Sequence, residues 1–181
     1  MAETLRTARL ELAPWSPAAT RLFRALATTP AVVRHIGDGR PWSEVKMQEV
    51  AARNAEHWRR HGFGWRLARR SHSGRAIGFI ALNFAGEGSG VDPDAYEIGW
   101  WLEPAAWGQG LAREGAGALR EEAFGRLRAP GILARIKPEN AASLSVARAV
   151  GLIPDYETSV RPGVRLSVLS LSAAGWRALP R

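Results

Sequence analysis

The chain contains no cysteine, which excludes a disulfide framework, a thiol nucleophile and a thiolate metal site. Lysine is nearly as scarce: Lys46 and Lys137 are its only two occurrences, and arginine carries the rest of the positive charge. That bias reads as a nucleotide-composition effect of the source genome. No apolar run approaches the length needed to cross a bilayer, and Met-Ala-Glu-Thr-Leu-Arg at the start holds no apolar core of the kind a secretion signal needs. A soluble cytoplasmic protein with no membrane partner is the expectation. Internal repeats and low-complexity linkers are also lacking. A chain of 181 residues can bury one real core but is short for two ordinary ones, so one domain over 1–181 is expected.

Positive charge is missing from one long stretch. The formal net charge is +8, yet residues 76–111 hold no lysine or arginine and carry Glu87, Asp92, Asp94, Glu97 and Glu103. That acidic block argues against a continuous polyanion-binding face, and no recognition helix or RNA-binding signature stands out, so nucleic acid is not an expected partner. The distribution suits an anionic ligand on one side of a site and a cationic amine on the other.

What is present is organised around Tyr96 to Arg126. Tyr-Glu-Ile-Gly-Trp-Trp-Leu, marked off by Pro104, reads as a buried strand. Ala112, Ala116, Leu119, Ala123 and Leu127 recur at steps of three and four and predict one apolar face of a helix running to about Arg126. Gly108 and Gly110 lie between them. A strand, a glycine turn and a helix start make an anion site, because unpaired N–H groups and the positive end of the helix dipole converge there.

Around this centre the pattern predicts a strand over Leu5–Trp15 and a helix from Pro17 to about Thr28, with a second piece to Ile36. A helix capped by Ser43 follows to about Arg60, then strands over Trp65–Arg69 and Ala76–Phe84 and a glycine-rich connection over Ala85–Asp94. After Pro130-Gly131 come a strand over Ile132–Ile136, a helix from Ala141 to Val150 closed by Gly151, and a hairpin of Leu152–Ser159 and Val164–Leu171 across Arg161-Pro162-Gly163. A last helical turn over Ser172–Leu179 packs Trp176. This order is that of an α+β, or mixed α/β, arrangement of helices around one sheet. His57 and His61 stand four apart on a helix, but no third ligand is near, so no metal site is expected; two histidines at a helix end favoured by its dipole are the plainer account.

Trp107-Gly108-Gln109-Gly110-Leu111-Ala112, preceded by Glu-Ile-Gly-Trp-Trp-Leu, resembles the acetyl-CoA pyrophosphate loop of the GNAT superfamily of N-acetyltransferases. The branch containing the ribosomal-protein N-terminal acetyltransferases is the most similar, and the likeness extends over nearly the whole chain. The family pattern is Arg or Gln, two residues, Gly, one residue, then Gly or Ala. Trp107 takes its first place, while Gly110 and Ala112 match. The resemblance implies a central mixed sheet whose two parallel strands splay apart to admit the cofactor.

It also implies roles. Gln109, Gly110, Leu111 and Ala112 would give N–H groups to the pyrophosphate, with Trp107 in the loop and Arg113 neutralising a phosphate. The backbone of Trp101 and Leu102 would hold the pantetheine and the acetyl oxygen. Asn140-Ala-Ala-Ser143, followed by a helix and Gly151-Leu152, resembles the second family motif. In it Asn140 meets the pantetheine or its strand and Ser143 lies near the sulfur as a proton donor. On physical grounds alone, Asn140 is a helix N-cap and Ser143 a local capping hydroxyl. Many family members carry a tyrosine seven residues after the asparagine; here that position is Ala147, and Tyr156 is only a distant substitute.

Acetyl transfer to an amine requires a proton acceptor, a donor for the oxyanion and a place for the thiolate. Glu97, on the central strand in a segment without neighbouring cations, is the candidate base. The expectation is an acetyl-CoA-dependent N-acetyltransferase acting on a primary amine, either a protein N-terminus of ribosomal type or a small molecule. A non-catalytic acyl-CoA-binding module is the alternative, and a homodimer is left open as the assembly.

Overall fold

The computed structural model describes residues 3–161 and 163–180, so Met1, Ala2, Arg181 and Pro162 of the expected hairpin turn lie outside the described residues. An eight-stranded sheet carries the fold. Its order is β1 (Leu5–Arg6), β2 (Leu10–Pro14), β3 (Arg66–Arg70), β4 (Ala76–Phe84), β5 (Tyr96–Leu102) and β6 (Gly131–Ile136), then β8 (Val164–Ser172) and, at the edge, β7 (Ile153–Arg161). Neighbours are antiparallel except β5 and β6, which run parallel. A parallel pair needs a crossover, and α4 (Leu111–Glu121) supplies it. The remaining helices are α1 (Thr20–Thr28), α2 (Pro30–Val33), α3 (Glu44–His61), α5 (Ala141–Ala149) and α6 (Ala173–Arg177).

Side chains alternate across β5, and the alternation divides the core. Ile98, Trp100 and Leu102 join the layer that contains Leu111, Ala116 and Leu119 of α4 and Ala147 of α5. Trp101 points the other way, into a layer with Phe23 and Leu26 of α1 and Met47 and Val50 of α3. That second layer is strongly aromatic: Trp101 packs 5.0 Å from Trp42, 5.2 Å from Trp65 and 6.2 Å from Phe23, centroid to centroid. α4 lies close on β4 because Gly115 has no side chain; a Cβ there would stand 2.6 Å from Ile80 Cγ1.

Two elements differ from the sequence reading. The first strand is broken at Thr7–Arg9 into a hairpin, with the Thr7 amide donating to Leu10 O at 2.9 Å. The turn wraps a carboxylate: Glu114 Oε1 accepts from the Thr7 hydroxyl at 2.6 Å and the Arg9 amide at 2.7 Å. The helix expected to reach Arg126 widens into a π-helical turn over Glu122–Arg126. Its extra residue accompanies the burial of Glu122, whose carboxylate accepts from Arg66 Nη2 at 2.6 Å and Nε at 3.0 Å. Both side chains are 2% exposed, and Arg66 also donates to Glu3 O and Leu12 O. An ion pair inside the core outweighs the regular α-helical ladder at this point.

Candidate active site

The sheet is split from within. β5 and β6 pair at Tyr96↔Ile132 and Glu97↔Leu133, and beyond that β5 stays on β4 while β6 stays on β8. The Glu103 amide donates to Ile77 O at 2.9 Å, so by the alternation of an antiparallel ladder the odd-numbered residues of β5 spend their backbone groups on β4. The backbone groups of Ile98, Trp100 and Leu102 therefore face the gap. Trp101, expected to offer its backbone there, turns it to β4, and Trp100 stands in its place. The Leu102 carbonyl accepts from the Trp107 indole at 2.8 Å, so the tryptophan at the first motif position braces the strand end against the loop.

At the mouth of the split lies the start of α4. Gly108 and Gly110 have φ of +71° and +74°, values that only glycine adopts without strain. Gly110 is the N-cap and no side chain caps the helix. Among the described residues, the amides of Gln109, Gly110, Leu111, Ala112 and Arg113 find no acceptor. Two arginines that sequence reasoning missed fix the loop. Arg9 Nη1 donates to Gln109 O at 2.9 Å while its Nε holds Glu114 at 2.6 Å, and Arg70 donates to Gln109 Oε1. Gln109 Nε2 closes the turn on Ala105 O at 2.7 Å. Burial alone would raise the Glu114 carboxyl, but the Thr7 and Arg9 hydrogen bonds and the Arg9 charge outweigh it and hold the group below the usual carboxylate range.

Farther along α4, Arg113 and Arg120 face Arg148 of α5 across a groove of about 360 Å³ that Gly117 leaves open. Arg120 is anchored there by its bond to Val150 O at 2.9 Å.

Glu97 sits where the parallel strands part, and the premise that no cation neighbours it is overturned. The register Glu97↔Leu133 puts Arg135, two residues on along β6, on the same face. Arg135 Nε and Nη2 grip the two carboxylate oxygens at 2.9 and 2.8 Å, and its third nitrogen donates to Ser89 O. The pair clasps β5, β6 and the glycine-rich connection together. A second carboxylate of the acidic block, Glu103, is paired with Arg75 at 2.8 Å. Two carboxylates of the block that looked unneutralised in sequence are thus met by arginines from elsewhere in the fold.

On the other side of the gap, Asn140 Oδ1 accepts from the Ser143 amide at 3.1 Å and so caps α5. Ser143 Oγ accepts from the Trp100 indole N–H at 3.2 Å. Ala147, one turn on, is fully buried. His57 and His61 lie away from all this, their rings 4.7 Å apart against Phe63 and Phe84. Burial and the neighbouring His61 lower the His57 imidazole to about 4.

A parallel strand pair that parts beyond Glu97, with bare helix-start amides at its mouth, is an arrangement suited to an extended anionic ligand. Known proteins agree. The acetyltransferase (GNAT) domain matches residues 9–153. The FsC-acetyl coenzyme A-N(2)-transacetylase of Aspergillus fumigatus is 28% identical over 167 residues, which are 82% of this chain and 64% of that one. The chain thus spans less than two-thirds of that relative's length. The crystal structure of an acetyltransferase from Agrobacterium tumefaciens is 29% identical, covers 93% of this chain and 94% of its own, and superposes with a TM-score of 0.78. The fold is shared, at 16% identity and a TM-score of 0.74, with RimL, a ribosomal L7/L12 alpha-N-protein acetyltransferase in complex with coenzyme A; 94% of this chain and 98% of that one are covered. The chain belongs to the GNAT family of acetyltransferases.

Proposed function

We propose that this protein transfers the acetyl group of acetyl-CoA directly to a primary amine. The observation that carries the reading is the set of unpaired amides at the start of α4, opening on the split between β5 and β6. Five N–H groups and a helix dipole converge there, an arrangement suited to a pyrophosphate. The pantetheine then runs along the gap-facing backbone of Ile98, Trp100 and Leu102, and the nucleotide's outer phosphate reaches the groove of Arg113, Arg120 and Arg148.

In the reaction the amine nitrogen bonds to the thioester carbon and the carbonyl oxygen becomes an oxyanion, held by a gap-facing β5 amide. The carbon–sulfur bond breaks and its electron pair leaves with sulfur. The proton released by the amine passes through water to Glu97, whose carboxylate oxygens keep lone pairs beyond those used by Arg135. Ser143 meets the thiolate. No covalent intermediate on the protein is needed, and holding both substrates in line supplies much of the rate.

The acceptor we favour is the α-amine of a protein N-terminus, on the branch resemblance of the motifs; a small-molecule amine is the alternative. A panel of peptides with free N-termini, polyamines, aminoglycosides and amino acids, incubated with acetyl-CoA and read by mass spectrometry, separates them. Acetylated peptides with unmodified small amines are expected, and the reverse would move the acceptor to a small molecule. Ala147, in the position where many relatives carry a tyrosine, favours a second reading, a module that binds the cofactor without turning it over. Tight coenzyme A binding with no product from any amine would establish that one.

A further inference from the structure

We propose that Trp100 is a positioning residue that acts through Ser143 to stabilise the leaving thiolate. This rests on the acetyl-CoA reading given above. Trp100 belongs to the run of β5 that β6 has left, and its indole reaches from that strand to α5, ending 3.2 Å from Ser143 Oγ. An indole nitrogen can only donate, so the hydroxyl must accept at this contact. Among the described residues Ser143 Oγ donates to nothing, and its backbone amide is already committed to Asn140 Oδ1 at 3.1 Å. One proton is therefore unspent, on an oxygen held by the indole in a residue whose backbone is held by Asn140.

A serine in a first helical turn is ordinarily free to rotate and satisfy a nearby backbone group. The indole removes that freedom by fixing where the oxygen sits, which leaves the O–H to point elsewhere around the same centre. Accepting a hydrogen bond also polarises the hydroxyl and makes it a better donor. Ser143 lies in the first turn of the nine-residue helix α5, where the dipole favours an anion, and Ala147 offers no competing hydroxyl. As the carbon–sulfur bond breaks, the electron pair moves to sulfur and the thiolate accepts the Ser143 hydrogen bond. The proton stays on Oγ; the thiolate is protonated afterwards by the amine's proton, handed on from Glu97 through water. The Trp100–Ser143 unit replaces an acidic hydroxyl with an oriented one.

Coenzyme A itself is the probe, with desulfo-coenzyme A as control, so no acceptor has to be known. Binding of each is titrated calorimetrically from pH 6 to pH 10 for the wild type, Trp100→Phe, Ser143→Ala and the double variant. In the wild type, affinity for coenzyme A should climb as its thiol ionises, with a midpoint below the free thiol's. Ser143→Ala should lose about 10-fold or more of that climb, the scale of a hydrogen bond to a charged group. Trp100→Phe should lose about 3- to 10-fold, and the double variant no more than Ser143→Ala alone. Desulfo-coenzyme A should bind all four proteins alike. Equal losses for both ligands at every pH, additive losses in the double variant, or an unchanged climb in Trp100→Phe would each overturn the proposal. A wild type that binds neither ligand would instead bring down the acetyl-CoA reading.

Discussion

At the scale of single residues, Gly110 is where the anion site is most exposed to one methyl group. Its φ of +74° costs an alanine about 1 kcal/mol; the new Cβ would meet only Arg9 Nη2, at 3.5 Å, so the strain falls on the backbone whose amides must touch phosphate. Gly110→Ala should weaken coenzyme A at least about 10-fold in a calorimetric titration while the far-ultraviolet dichroism of the fold is kept. Glu97 needs a paired test, because its clasp with Arg135 gives it a structural role as well. Glu97→Gln removes both the carboxylate and the ion pair; Arg135→Met removes the ion pair alone. If the carboxylate takes the proton, Glu97→Gln should lower kcat about 100-fold or more and Arg135→Met by roughly 10-fold or less. Equal losses would leave Glu97 as a strand clasp only. None of this pairing was visible in sequence, since Arg135 lies 38 residues away and only the parallel register brings it alongside.

At the scale of elements, the join between α4 and the strands β2 and β3 depends on charges in the core. Glu122→Gln leaves the Arg66 guanidinium buried with a neutral partner, and should destabilise the fold by about 3–5 kcal/mol in denaturant titration. The double replacement Arg66→Met with Glu122→Leu should recover most of that loss, because two apolar side chains of similar bulk avoid burying any charge. Sequence periodicity carried the helix correctly as far as Glu121. It ran through Glu122 because a charged residue on an apolar stripe reads as an exception until its partner is known, and Arg66 stands 56 residues earlier. The same holds for the first strand: Leu5 and Leu10–Leu12 read as one alternating run, and only the Glu114 carboxylate shows why the chain turns at Thr7.

At the scale of the whole molecule, the succession of strands and helices along the chain followed from periodicity and turn residues, which are local. The split parallel pair was implied by the resemblance of the 107–112 loop, and the order of strands in the sheet was not legible. What stayed illegible was long-range: the arginines that hold the loop, the clasp on Glu97 and the indole on Ser143 are contacts across the fold with no spacing to betray them. Acid sensitivity is likewise a property of the assembled molecule. His57 is lowered to about 4 by burial and by His61, so the unfolded chain binds the extra proton first. Stability should thus be full above the ordinary histidine value of about 6.5 and fall as pH drops from there toward 4, by on the order of 1–2 kcal/mol after allowing for solvent screening. Below that, the lowered Glu114 carboxyl adds a second loss as pH falls through its folded value. His57→Phe should flatten the first of these steps in thermal melts taken across the range.

Hydrogen–deuterium exchange with and without acetyl-CoA tests the central claim most directly, since it reads the amides on which the account depends. Saturating acetyl-CoA should slow exchange at Gln109 to Arg113 and at the gap-facing positions of β5, with the outer strands β7 and β8 unchanged. Acetyl-CoA that binds with no protection at the start of α4, or with protection confined to other elements, would contradict it.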